Sequence, residues 1–194
     1  VVTAVAASLY DNVLGWKRLS LALNEAIRNG KPDRLFRIAD DYNNRDYSGH
    51  YYNNQNDIGI AINCIDWNSR STFEEIAEFA PNFVKASETF GRFIAYSELT
   101  CSYWKAPPIQ PKLPFKNIKS MPFIIVGVTK DPATPYVWSE NLAKSFPNSV
   151  LLTLDGEGHT GHNRGNSCID SRVDSYFLRG ELPAEGISCV ARGN

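Results

Sequence analysis

Residues 123–160 read FIIVGVTKDPATPYVWSENLAKSFPNSVLLTLDGEGHT. The run Phe123-Ile124-Ile125-Val126, closed by Gly127, is apolar on both faces, which is the pattern of a strand buried in a parallel sheet. Asp131 follows just past the strand end, braced by Pro132 and Pro135. Tyr136 to Phe146 predicts a helix with Val137, Leu142, Ala143 and Phe146 toward one side. Val150-Leu151-Leu152 and Leu154 form a second apolar run. Gly156-Glu157-Gly158-His159 then presents a histidine from a glycine-flanked loop. In an open α/β sheet, functional groups lie beyond the carboxyl ends of the strands. Asp131 and His159 are therefore expected at neighbouring strand ends on the same side. A carboxylate so placed can orient an imidazole that takes a proton from a nucleophile.

DPATPY (131–136), GEGHT (156–160) and the later Cys168…Gly180-Glu181-Leu182-Pro183…Cys189 resemble the C-terminal region of actinobacterial α/β-hydrolases of the tripeptidyl-aminopeptidase-like group. AINCID (61–66) and CSYW (101–104) carry the resemblance into the first half. Lys130 stands where that group is expected to have a small residue, often glycine. The resemblance implies an α/β fold class: the C-terminal part of an α/β-hydrolase fold, with parallel strands and flanking helices, an incomplete sheet, and a mostly helical lid before it. It also implies serine peptidase chemistry, with His159 as base and Asp131 as the acid that orients it. Such hydrolases order their triad serine, acid, histidine, with the serine in a Gly-x-Ser-x-Gly elbow. No such elbow occurs in this sequence. The nucleophile and its oxyanion hole are thus expected in an N-terminal part of the same hydrolase, and this chain alone is expected to be inactive. The implied substrate is a peptide with a free N-terminus, cleaved near that end. Two other readings stay open: a non-catalytic binding or assembly module that keeps such a core, and an ester hydrolase of the same fold.

The chain has 194 residues, 43% of them hydrophobic and 21% charged, which suits a globular protein. A formal net charge of −1 gives no electrostatic case for nucleic acid or an anionic membrane. No apolar stretch approaches the roughly 20 residues of a membrane span. The chain begins at Val1 without a visible signal segment, which reads as a processed product or a piece cut from something longer. No cofactor is expected. His162 makes a His-x-x-His pair with His159, but two ligands without a third are a weak metal signal; His162 and His50 read as loop residues. The four cysteines, Cys64, Cys101, Cys168 and Cys189, form no CxxC pair. An even, widely spaced set favours two disulfides and a secreted or cell-surface location over four buried thiols. In the light of the resemblance, the pairs expected are Cys64–Cys101 and Cys168–Cys189.

Taken in order, residues 1–10 can form a short helix end. Trp16 to Ile27 shows helical spacing in Leu19, Ala22, Leu23, Ala26 and Ile27, stopped by Asn29-Gly30. Asp33 can cap a second helix over Leu35 to Ala39. Residues 40–57 are polar and tyrosine-rich and read as a loop, or as the join between two helical pieces. Ile58 to Ile65 is short, apolar and β-branched, and predicts a strand or an extended segment. Phe73 to Phe79 predicts a helix whose Glu74, Glu75 and Glu78 cover the outer face. These glutamates are candidate substrate-binding carboxylates for a peptide's α-amine, although a solvated face is the plainer reading. Pro81 to Leu99 predicts a longer helix, with Gly91 inside marking a close approach. Residues 105–114, KAPPIQPKLP, hold four prolines and exclude helix or central strand. They are taken as the boundary between a mostly helical lid, 1–114, and a C-terminal catalytic-core portion, 115–194. Ser167 opens the last helix, with Asp170 in a near capping box and Ile169, Val173, Tyr176 and Phe177 as its face. Gly180 ends it, and the tail lies outside any element. An incomplete sheet leaves an apolar strand edge open, and bare edges pair with something. A homodimer, a larger assembly or a lid folded over the edge is the expected consequence.

Overall fold

The structure, a computed structural model, describes residues 1–67, 70–109 and 121–191. The expected boundary between 114 and 115 lies outside the described residues. The organising stretch forms as its sequence predicts. Strand β1 spans Phe123–Lys130, helix α8 Tyr136–Ser145, and strand β2 Ser149–Glu157. Helices α1 to α7 precede them in the chain. Strands β1 and β2 pair in parallel, from Phe123 opposite Ser149 to Val128 opposite Leu154. The register slips between Val128 and Lys130, so Lys130 comes to stand opposite Glu157. Along β2 the residues Val150, Leu152, Leu154 and Gly156 alternate inward, as the period of a strand dictates.

Helix α9, Ser167–Arg179, lays Ile169 and Val173 against Val128, Leu152 and Leu154, and this is the core of the sheet. Its Gly180 is left-handed at φ 69° and stops the helix as predicted. Two expectations here need correction. The N-cap is Asn166 rather than Ser167: its side-chain oxygen accepts from the amides of Cys168 and Ile169. Asp170 instead accepts from the amide of Asn163 and shapes the preceding loop. The tail is not outside the fold. Ser188–Val190 forms β3, parallel to β2, with Cys189 opposite Leu154. Three residues are too few to show a period; what holds them is the Cys168–Cys189 disulfide and the pairing with β2. The sheet order is β1-β2-β3, and among the described residues the outer edge of β1 has no partner strand.

Helix α8 packs on β1 with a different face from the one expected. Val137 and Leu142 are exposed. The contact is made where a side chain on Gly127 would strike the Tyr136 ring and the Cβ of Ser139, each 2.9 Å away. The Tyr136 hydroxyl also meets Thr153 Oγ1 at 2.6 Å. A bare strand glycine lets the helix sit closer than apolar side chains would permit, and that selects the face. On α9, likewise, Phe177 of the expected inner face is exposed.

By compactness the chain divides into two units, one of residues 3–42 with 114–194 and the other of 43–113. The cuts fall after residue 42 and after residue 113. In the first unit, α1 (Val2–Leu9), α2 (Leu14–Asn29) and α3 (Asp33–Tyr42) enclose Ala4, Ala22 and Leu35. Gly30 ends α2 in the left-handed region, as Asn29-Gly30 predicts.

The second unit holds α4 (Gln55–Asp66), α5 (Phe73–Ala86), α6 (Gly91–Ile94) and α7 (Leu99–Ser102). The strand expected over 58–65 is the helix α4. The alternation of Ile58, Ile60 and Ile62 fits a strand, but Ile58, Ile62 and Ile65 also fit a helix, and a short apolar run cannot separate them. The buried Cys64 bridges α4 to Cys101 of α7, so the second disulfide also forms as expected. The two helices expected over 73–79 and 81–99 are divided differently. Helix α5 runs through Pro81 to Ala86, where Ser87 turns extended. Gly91 begins the short α6, and a Cβ there would lie 2.1 Å from the Phe83 carbonyl oxygen. The close approach read into Gly91 is therefore present. Among the described residues no helix is long and apolar enough to cross a membrane.

Two stability effects follow. Gly91→Ala should destabilise the protein by about 1–3 kcal/mol, because backbone must give way. Replacing Cys168 and Cys189 together by serine should cost about 2–4 kcal/mol through the freed loop. Denaturant unfolding of each variant against the parent measures both.

Candidate active site

Asp131 is the first residue after β1. Its carboxylate turns back on its own loop: Oδ1 accepts from the amides of Ala133 and Thr134, each at 2.8 Å, and Oδ2 accepts from the Thr134 hydroxyl at 2.8 Å. This is the turn that an Asp-Pro-x-Thr sequence favours, with the side chain bonding backbone two and three residues on. The prolines leave those amides to Ala133 and Thr134 alone. His159 stands at the start of the loop after β2. Because β1 and β2 are parallel neighbours, their carboxyl ends lie side by side. His159 Nδ1 is 2.9 Å from Asp131 Oδ2 and 3.0 Å from Oδ1. The Asp131 side chain is only 4% exposed, while His159 is 28% exposed. The carboxylate is thus enclosed and the imidazole reaches solvent.

The two strand ends are clamped together. The Thr129 hydroxyl donates to Asp155 Oδ1 at 2.9 Å and receives the amide of Gly156 at 3.1 Å. Lys130, unexpected at this place, reaches across to Glu157 at 2.7 Å. The pairing moves both partners, lifting the Lys130 ammonium and lowering the Glu157 carboxyl, through their shared hydrogen bond first and their opposite charges second. Both side chains are solvated, so the contribution of the pair to stability is small. Beyond the histidine, Thr160 sits at φ 69°, a conformation that a β-branched residue adopts only under constraint.

Electrostatics keep Asp131 charged. Burial works to raise its carboxyl, but the amides of Thr134 and Ala133, the Thr134 hydroxyl and His159 outweigh it, and the group titrates below its ordinary range. Tyr10 lies against this pair, its ring 4.9 Å from the imidazole and nearly perpendicular to it. The Tyr10 phenol is pushed up to about 12 by its hydrogen bond with the Tyr42 hydroxyl, then by burial, then by the charges of Tyr42 and Asp131.

Asp131 and His159 are therefore brought together as the sequence predicted. Glu75 closes a capping box with Thr72 at the start of α5, and Glu74 and Glu78 are exposed on the same helix, in the other compact unit. His162 meets Asp174 of α9 at 3.2 Å. Among the described residues no group of three or more His, Cys, Asp or Glu side chains could hold a metal ion. Sequence reading missed Thr134, Thr129 and Tyr10. Thr134 had a signal, three residues after an Asp-Pro; Tyr10 had none, because nothing local links it to a loop so far along the chain.

Comparison with known proteins adds the lineage. Residues 86–189 match the family described as TAP-like protein. The chain belongs to this TAP-like family of α/β-hydrolases. Serine protease Hip1 of Mycobacterium tuberculosis is 35% identical over 196 residues, covering 97% of this chain and 36% of that protein. Carboxylesterase B of the same organism is 32% identical over 191 residues, covering 90% of this chain and 34% of that protein. Tripeptidyl aminopeptidase of Streptomyces lividans is 34% identical over 101 residues, covering 50% of this chain and 18% of that protein. The TAP-like chain thus spans about a third of the length of the first two relatives.

The depressed carboxyl sets a pH dependence. Asp131 stabilises the folded state above the ordinary aspartate range, and that contribution is lost as pH falls through its lowered value. Asp131→Asn should therefore flatten the acid limb of the stability profile, measured by thermal unfolding across pH.

Proposed function

We propose that this chain is the C-terminal portion of a secreted or cell-surface serine hydrolase, an exopeptidase that releases short peptides from a free N-terminus. The observation that carries the reading is the 2.9 Å bond between His159 Nδ1 and the enclosed Asp131 at adjacent parallel strand ends. His159 is the general base: it takes the proton of a serine hydroxyl as that oxygen attacks the scissile carbonyl. It then gives the proton to the leaving amine, and the acyl-enzyme is hydrolysed by water activated in the same way. Asp131 fixes the imidazole tautomer and stabilises the imidazolium that forms. The serine and the oxyanion hole come from an N-terminal part of the same hydrolase, in keeping with the lack of a Gly-x-Ser-x-Gly elbow here and with the greater length of the relatives. The two disulfides support an oxidising compartment. Residues 1–114 serve as the lid, and the open edge of β1 takes a strand of the missing part or a second copy of the chain.

One observation favours a second reading on the same site: a relative of nearly equal identity is named a carboxylesterase. Acyl transfer from an ester uses the same dyad and differs only in the leaving group.

Expressed alone, the chain should show no peptidase or esterase turnover and no labelling by a fluorophosphonate. Turnover abolished by changing a serine within residues 1–194 would refute the proposal. In a protein joining this chain to an upstream segment with the serine elbow, His159→Ala should lower kcat by about 10⁴-fold or more. Rates on N-terminally free peptides against short-chain esters then decide between peptidase and esterase.

A further inference from the structure

The contact between His159 and Asp131 does not by itself fix the imidazole. Nδ1 lies almost equally far from both carboxylate oxygens, at 2.9 and 3.0 Å. A ring held at one atom by two equivalent acceptors can still rock about that atom. Gly158, just before it, has no side chain to brace the ring. Something else must hold the ring, and the end of α1 supplies it.

Three contacts converge on Tyr10, the residue that closes α1. Its carbonyl oxygen accepts the backbone amide of His159 at 2.9 Å. The same oxygen accepts Nη2 of Arg164, from the far side of the histidine loop, at 3.0 Å. Arg164 also lies 3.8 Å from Asp11, the next residue. Gly158 allows the approach: it sits at φ +104°, and a Cβ there would come within 3.2 Å of this carbonyl. Meanwhile the Tyr10 ring stands at 72° to the imidazole, centroids 4.9 Å apart, and its hydroxyl is tied to that of Tyr42 at 3.2 Å. The perpendicular arrangement is one that aromatic quadrupoles favour.

We propose that Tyr10 is a positioning residue for His159. Its carbonyl anchors the backbone of the histidine loop. Its ring walls one side of the imidazole, so that Nδ1 stays turned to Asp131 and Nε2 is turned away from it, toward the place of a nucleophile. Tyr42 holds the phenol at the other end and keeps the wall upright. This assignment rests on the reading of His159 as general base. It adds that the base is set by a helix well over a hundred residues earlier in the chain, not by its own loop and its acid alone.

The chain has three histidines, so selective ¹⁵N labelling resolves each ring and reports which nitrogen carries the proton. In the parent, His159 is expected as the Nδ1–H tautomer, with its ring protons displaced by the neighbouring tyrosine. Tyr10→Phe keeps the ring and the carbonyl and loses only the tie to Tyr42, so it should keep the Nδ1–H tautomer with a smaller displacement of the ring protons. Tyr10→Leu should populate both tautomers and lose the displacement, while the methyl signals of Leu152, Ile169 and Val173 stay in place. If Tyr10→Leu is folded and His159 keeps the Nδ1–H tautomer and the parent ring shifts, Tyr10 does not position the base, although the dyad stands. If the parent itself lacks the Nδ1–H tautomer, the pairing of acid and base is wrong and the positioning role falls with it. Should Tyr10→Leu not fold, the parent decides: cross-relaxation between the Tyr10 and His159 ring protons supports the assignment, and its absence overturns it.

Discussion

The parallel ladder between β1 and β2 is the constraint on which the site depends. Both strands end at the same edge because their register runs from Phe123 opposite Ser149 to Val128 opposite Leu154. A one-residue slip would turn every inward side chain of β2 outward and would carry the histidine loop away from the acid. The register is held by burial of Leu152 and Leu154 on one side of the ladder. At its end it is held by Thr129, whose hydroxyl bonds to Asp155 and Gly156 across the gap. The slip between Val128 and Lys130 falls just before the acid. Irregularities of this kind commonly re-aim a chain beside a functional site.

Given that ladder, the chemistry of Asp131 follows from solvation. A carboxylate removed from water is costly unless its oxygens are satisfied. Here the Asp-Pro turn provides two amides and a hydroxyl, and the imidazole supplies the remaining donor. The acid is thus kept ionised by local donors. An uncompensated cation beside it would compete with the imidazole for the carboxylate. Lys130, the nearest such group in sequence, is directed instead to Glu157.

The second compact unit is organised by other means. A disulfide, a capping box and the Gly91 crossing fix its short helices, while Phe79 and Phe93 remain largely exposed. Helices made in this way carry weak sequence signals. This is why the 58–65 run predicts a strand where α4 stands, and why no local signal marks the break at Ser87. The same weakness hid β3, whose identity comes from its neighbour β2 and a covalent bond rather than from any pattern of its own.

By itself the sequence determined the β1–α8–β2 unit, the stops at Gly30 and Gly180, the pairing of the four cysteines and the meeting of Asp131 with His159. Each of these rests on local chemistry or on a strong apolar period, or, for the cysteines, on likeness to related chains. The tertiary structure decided which face of α8 packs, because Gly127 admits Tyr136 and Ser139 where Val137 and Leu142 carry the stronger apolar signal. It decided that the tail joins the sheet. It also decided that Tyr10 stands against the base, since an edge-to-face contact between residues so far apart is set by the packing of whole helices and leaves no trace in either neighbourhood.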